Sequence, residues 1–151
     1  MRVTGIRRNP QEDEHADEVF GLDRFEELLP LTDYLVLALP DSSHTRDIIN
    51  VDILEKLNSS AMIINVGRGT AINEDDLANA LNDGKIAAAA LDTTKVEPLD
   101  ANSSLWTAKN CFISAHDSAH SLLSLERAFE LFFQNIKNIY NGDQIKNLYS
   151  E

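Results

Sequence analysis

The sequence predicts an α/β fold: a parallel sheet with helices on both faces, carried by a single chain of 151 residues. Three observations predict it. Apolar runs of strand length (DYLVLAL at 33–39, MIINV at 62–66, IAAAAL at 86–91 and CFIS at 111–114) alternate with stretches of helical spacing, the pattern of βαβ units. The runs are nearly unbroken rather than alternating with polar residues, as strands buried on both faces are. A composition of 43% hydrophobic and 25% charged residues is that of a globular domain with a core of its own.

Taken in order, Met1 to Ile6 reads as a strand running into the turn Arg7-Arg8-Asn9-Pro10, and the acidic stretch from Gln11 to Glu18 as solvated loop or weak helix. Glu18 to Gly21 is a very short strand. Arg24 to Leu29 makes one or two helical turns closed by Pro30. Asp33 to Leu39 is a buried strand ended by Pro40 and the polar turn Asp41 to Thr45. Ile53, Leu54 and Leu57 mark a short helix, and Met62 to Val66 is the next strand. Asn73 caps a helix in which Leu77, Ala80 and Leu81 recur at helical spacing, and Gly84 stops it. Ile86 to Leu91 is a strand of small residues, suited to close packing against a helix. Asp92 to Lys109 is a long loop, and Cys111 to Ser114 is the last strand. Leu125, Ala128, Phe129, Phe132, Phe133, Ile136, Ile139 and Tyr140 then trace one face of a long helix that ends at Asn141-Gly142. A face with those phenylalanines needs a cover.

The formal net charge of −12 opposes nucleic acid and anionic membranes as partners, because both require a basic face. No apolar run approaches the roughly 20 residues of a membrane helix, and Met1-Arg2-Val3 does not begin a signal peptide. The one cysteine, Cys111, leaves disulfides no structural part within the chain. Together these fit a reducing compartment, the cytoplasm.

Right-handed crossovers bring the carboxyl ends of parallel strands to one edge, where α/β proteins bind ligands. The residues leaving those ends are Arg7-Arg8, Pro40, Arg68, Asp92 and His116. Arg68 stands between Gly67 and Gly69, and a planar guanidinium there suits a carboxylate, which it can grip through two parallel hydrogen bonds. On that stretch alone, a surface ion pair is the simpler reading. His116 titrates near neutral pH and can pass a proton, or it caps the following helix. Glu97 before Pro98 is a solvated loop acid, or a partner that raises an imidazole pKa and fixes its ring. Asp92 accepts from a ligand amide or caps its loop. Arg7 and Arg8 bind a phosphate, or meet the acid-rich segment downstream. For His15, His44 and His120 the surface reading is preferred.

In order from Asp33 to His116, DYLVLALP with Thr45 soon after, INVGRG, ALD followed by EPLD, and LW…N…H resemble the NAD(P)-binding domain of the D-isomer-specific 2-hydroxyacid dehydrogenases. The resemblance implies a partial Rossmann-like sheet and, as active site, Arg68, Glu97 and His116. Arg68 would hold the carboxylate and keto oxygen of a 2-oxo acid, His116 would protonate that oxygen, and Glu97 would keep His116 protonated. Pro40, Thr45, Val66, Gly67 and Asp92 would line the cofactor. Arg7 and Arg8 stand where an NAD-preferring fold carries an acid, so NADP is favoured over NAD and the activity resembles that of glyoxylate or hydroxypyruvate reductases. The family also implies a homodimer.

Two departures stand out. Ala115 precedes His116 where the family usually has proline, and no G-x-G-x-x-G occurs, since the third position after Gly67 and Gly69 is Ile72. The glycine turn, the strand before it and most of the substrate domain would lie upstream of Met1. The expected organisation is a partial nucleotide domain over 1–119, lacking the first strand and that turn, then a C-terminal helix and tail over 120–151 that would cross back to the substrate domain. The missing strand would be central, so two inner strand edges would lack partners, to be re-paired or covered by dimerisation. Three functions follow. The first is an oxidoreductase, nearly inactive as this portion alone; the second is a non-catalytic remnant for dimerisation or nucleotide binding. A corepressor-like NAD(H) sensor is the third, with no partner-binding surface in the sequence to support it.

Overall fold

A computed structural model describes residues 1–121 and 123–148. The chain divides into two units, Met1–Ala115 and a second beginning at His116. In the first, β1 (Thr4–Ile6) and β2 (Glu18–Phe20) form a parallel pair. A separate parallel sheet runs in the order β3 (Tyr34–Leu37), β4 (Met62–Asn65), β5 (Ala88–Leu91), β6 (Cys111–Ile113). All strands of that sheet point the same way, so Ala38–Pro40, Val66–Arg68, Asp92 and Ser114 leave along one edge.

Local chemistry accounts for the helices. The short α1 (Phe25–Leu28) lies between 3-10 turns at Leu22–Arg24 and Leu29–Leu31. Pro30 does not close the helix as expected; it sits inside the second turn, where its fixed φ is tolerated and its missing N–H has no helical partner to lose. Asn50 caps α2 (Val51–Leu54), accepting from the N–H groups of Asp52 at 3.1 Å and Ile53 at 3.3 Å. Asn73 caps α3 (Glu74–Asn82) by accepting from the Asp76 N–H at 3.3 Å. Glu74, Asp75 and Asp76 in its first turn suit the positive end of the helix dipole. Gly84, at φ +69°, ends it as predicted. Within the long loop from Asp92 to Lys109, a 3-10 turn at Ser104–Thr107 was not legible, because Leu105 alone, 1% exposed, anchors it.

The core lies on one face of the four-stranded sheet, where Leu37, Ile63, Ala89 and Leu91 pack with Ile53, Leu54, Leu77 and Leu81 from α2 and α3. The other face is open. Register aligns Val36, Ile64, Ala90 and Phe112 in one row, and its ends, Val36 and Phe112, are 57% and 67% exposed. An apolar run records that both sides are suited to burial, not what buries them. The expected pair of open inner edges is present too. Among the described residues, β1 and β3 do not pair with each other and nothing bridges the two sheets. Tyr34 and Val36 on β3 are exposed, so this edge meets water and escapes the cost of unpaired groups in a dry core.

The second unit is dominated by α4 (Ser124–Asn141), stopped by Gly142 at φ 76°. No described helix is long and apolar enough to cross a membrane.

Leu77→Ala, at a position 0% exposed, should destabilise the first unit by about 3 kcal/mol, and Asn73→Ala by about 1 kcal/mol, both read by urea denaturation. On β6, burial and then the Glu74 carboxylate push the Cys111 thiol above its ordinary pKa. Its alkylation should therefore need higher pH than a free thiol does, and Glu74→Gln should move that profile downward.

Candidate active site

The carboxyl edge of the four-stranded sheet is held by backbones in unusually close approach. A side chain at Gly67 would put its Cβ 2.6 Å from the Leu39 nitrogen and 2.7 Å from its oxygen. At Gly69 the Cβ would lie 2.0 Å from the carbonyl carbon of Thr94. The segment after β4 is thus wedged between the loops leaving β3 and β5, and Arg68 projects from the wedge. Sequence reading gave these glycines to the approach of a ligand; here they admit neighbouring main chain.

Asn65 fixes the turn from below. Its side chain is fully buried, donates to the Arg68 carbonyl at 3.1 Å and accepts from the Gly67 N–H at 3.0 Å. A buried amide satisfied on both atoms holds one geometry firmly. Sequence reasoning missed its role, although an amide ending the apolar run MIIN was a visible signal. Arg68 itself is exposed and donates to the Gly67 carbonyl at 3.0 Å. Among the described residues no carboxylate forms an ion pair with it. The surface ion pair that the sequence alone favoured is absent there.

Side chains stitch the three loops together. Thr70 donates to Asp41 at 2.9 Å, Arg46 pairs with Asp41 at 2.8 Å, and Lys95 pairs with Asp47 at 2.5 Å. The Lys95 N–H donates to Glu74 at 2.6 Å. Within the polar turn, the Thr45 hydroxyl donates to the Pro40 carbonyl at 2.7 Å and accepts from the Ser42 N–H at 3.0 Å, so it shapes the turn. Val66 is 44% exposed beside Gly67.

Asp92, 6% exposed, accepts from the Ser114 hydroxyl at 2.7 Å, and its N–H donates to the Asn65 carbonyl at 2.9 Å. Next to it, Thr93 is 3% exposed, and its hydroxyl is the one buried side-chain polar atom without a partner among the described residues. Glu97 is exposed, with Oε1 accepting from the Thr94 N–H at 3.2 Å. This contact and the Gly69–Thr94 approach bring the Glu97 loop and the Arg68 turn onto the same backbone segment. At the end of β1, Arg7 meets Asp13 at 3.8 Å, as the acid-rich segment suggested, whereas exposed Arg8 has no ion-pair partner among the described residues. His116, first residue of the second unit, is exposed and adopts a left-handed backbone at φ 55°. Such a conformation costs a non-glycine residue roughly 1 kcal/mol and is concentrated at functional sites.

Gly69→Ala should cost about 3 kcal/mol because rigid backbone blocks the new methyl. Gly84→Ala, with open space but φ +69°, should cost about 1 kcal/mol. Denaturation midpoints of the two variants check the contrast.

Residues 1–118 match the model of the D-isomer specific 2-hydroxyacid dehydrogenase NAD binding domain. A human glyoxylate reductase/hydroxypyruvate reductase is 40% identical over 109 residues, which are 72% of this chain and 33% of that protein. A D-isomer specific 2-hydroxyacid dehydrogenase from Xanthobacter autotrophicus, solved with NADPH and MES, superposes with a TM-score of 0.85 at 32% identity, covering 98% of this chain and 60% of that one. An NADPH-dependent glyoxylate/hydroxypyruvate reductase from Sinorhizobium meliloti, solved with NADP and sulfate, gives 0.84 at 27% identity, covering 99% and 48%. The chain therefore spans about half the length of these relatives or less. Ordered motifs, a parallel α/β sheet and these matches agree: the chain belongs to the D-isomer specific 2-hydroxyacid dehydrogenase family, through its NAD binding domain.

Proposed function

We propose that this chain is the cofactor-binding and catalytic portion of an NAD(P)-dependent reductase that converts a small 2-oxo acid to a D-2-hydroxy acid, with little turnover by the portion alone. The observation that carries the reading is Arg68: an exposed guanidinium without an ion pair among the described residues, set on a braced turn at the carboxyl edge of the sheet. A guanidinium so presented suits a carboxylate gripped at two oxygens.

The residues present suit a dinucleotide at its two ends. Asp92 supplies a buried acceptor at the end of β5, and Arg8 supplies exposed positive charge at the end of β1. Pro40, Thr45, Val66 and Gly67 would line the cofactor between them. Arginine at that first position favours the extra phosphate of NADP, and the relatives solved with NADP or NADPH are consistent with it. Arg7 contributes less, because Asp13 already meets its charge. Bound there, the reduced nicotinamide supplies the hydride.

This chain's own groups do the rest. Arg68 holds the carboxylate and polarises the keto oxygen. His116 gives a proton to that oxygen as it becomes a hydroxyl, and the Glu97 carboxylate keeps His116 protonated until then. The site takes glyoxylate or hydroxypyruvate, as the relatives' names suggest. We place the protein in the cytoplasm, acting as a homodimer. A second reading, a nucleotide-binding or dimerising module without turnover, draws support from the separation of the β1–β2 pair from the four-stranded sheet.

Trp106, 56% exposed, is the chain's own fluorophore for NADPH titration. Saturable NADPH binding is expected, and Arg8→Ala should weaken it about tenfold relative to NADH. Slow, glyoxylate-dependent oxidation of NADPH should fall about 100-fold in His116→Gln. Binding without any such oxidation would favour the second reading, and absence of NADPH binding would remove both.

A further inference from the structure

The second unit carries an apolar face that the catalytic reading leaves unused. Leu125, Phe129, Phe132, Phe133, Ile136 and Tyr140 on α4 are each between 46% and 89% exposed. Their spacing is palindromic: steps of four, three, one, three and four residues, the same read from either end. At about 100° per residue they form one strip. An antiparallel copy laid on it sets Leu125 against Tyr140, Phe129 against Ile136, and Phe132 against Phe133, across a two-fold axis between the last two.

The flanks of the strip agree with that pairing. On one side, Glu126, Glu130 and Lys137 share a flank and are exposed, and none has an ion pair among the described residues. In the antiparallel arrangement Lys137 of one copy falls between Glu126 and Glu130 of the other. In a parallel arrangement like charges would face one another. On the opposite flank the tail folds back: Asn138 donates to the Gln144 carbonyl at 2.8 Å, and Asn135 donates to the Lys146 carbonyl at 3.0 Å while accepting from its N–H at 2.9 Å. The tail thus covers a polar flank and leaves the strip clear.

We propose that α4 is a self-association surface whose occupant is the antiparallel α4 of a second copy of this chain. The match of each face to itself is what an isologous two-fold contact requires, and flanking charges set its direction. The proposal rests on the homodimer reading and not on the reduction of a 2-oxo acid.

The test is light scattering on the full chain with single-cysteine cross-linking in a Cys111→Ser background. A dimer at micromolar concentration is expected, and Phe129→Glu with Ile136→Glu should make it a monomer with unchanged helical circular dichroism. Lys137→Glu should weaken dimerisation about fivefold, and adding Glu126→Lys with Glu130→Lys should restore it. Phe133→Cys lies at the axis and should cross-link to itself; Leu125→Cys, about 22 Å from its counterpart at 1.5 Å per residue, should not. A wild-type monomer overturns the homodimer reading and this surface together. A dimer indifferent to Phe129→Glu with Ile136→Glu overturns this surface alone, and cross-linking through Leu125→Cys overturns the antiparallel pairing.

Discussion

Three loops share too little room for side chains, and the rest of the site depends on that constraint. Gly67 lies against Leu39 and Gly69 against Thr94, both closer than any Cβ would allow. Between those contacts Asn65 anchors the main chain on either side of the arginine's own peptide. Backbone contacts of this kind cannot relax by a change of rotamer. The guanidinium is therefore aimed by the scaffold rather than by a carboxylate partner, which leaves its charge for a ligand.

The same scaffold explains why the site can be well ordered in a molecule with open faces. Strands β3 to β6 bury their shared side on α2 and α3, and that layer alone places their carboxyl ends. The opposite side, with Val36 and Phe112 exposed, and the unpaired edge of β3 lie outside this layer. What those surfaces meet affects stability and cofactor grip more than the geometry of the Arg68 turn.

Much of this was legible from residue patterns because parallel strands announce themselves as apolar runs and helices by their caps. Asn73 and Gly84 bounded α3 correctly, and Gly142 ended α4. The failures have physical causes. Pro30 was read as a terminator because local rules do not distinguish a 3-10 turn from the end of a helix. The Ser104–Thr107 turn depends on one tertiary contact through Leu105, and no periodicity reveals that. Arg68 was visible, but its freedom from an ion pair was not, since acids near it in space come from distant parts of the chain and pair elsewhere: Asp41 with Arg46, Asp47 with Lys95. Asn65 was overlooked because a buried amide looks like a strand end until its two hydrogen bonds are seen.

The central claim is that guanidinium, carboxylate and imidazole act on one small anion. A crystal structure of the chain with NADPH and oxalate, a two-carbon mimic of a 2-oxo acid, tests it most directly. The account predicts oxalate gripped by Arg68 through two parallel hydrogen bonds, with the His116 imidazole within hydrogen-bond distance of one oxygen and Glu97 on its far nitrogen. Oxalate bound elsewhere, or residues 68 and 116 too far apart to touch the same molecule, would contradict it.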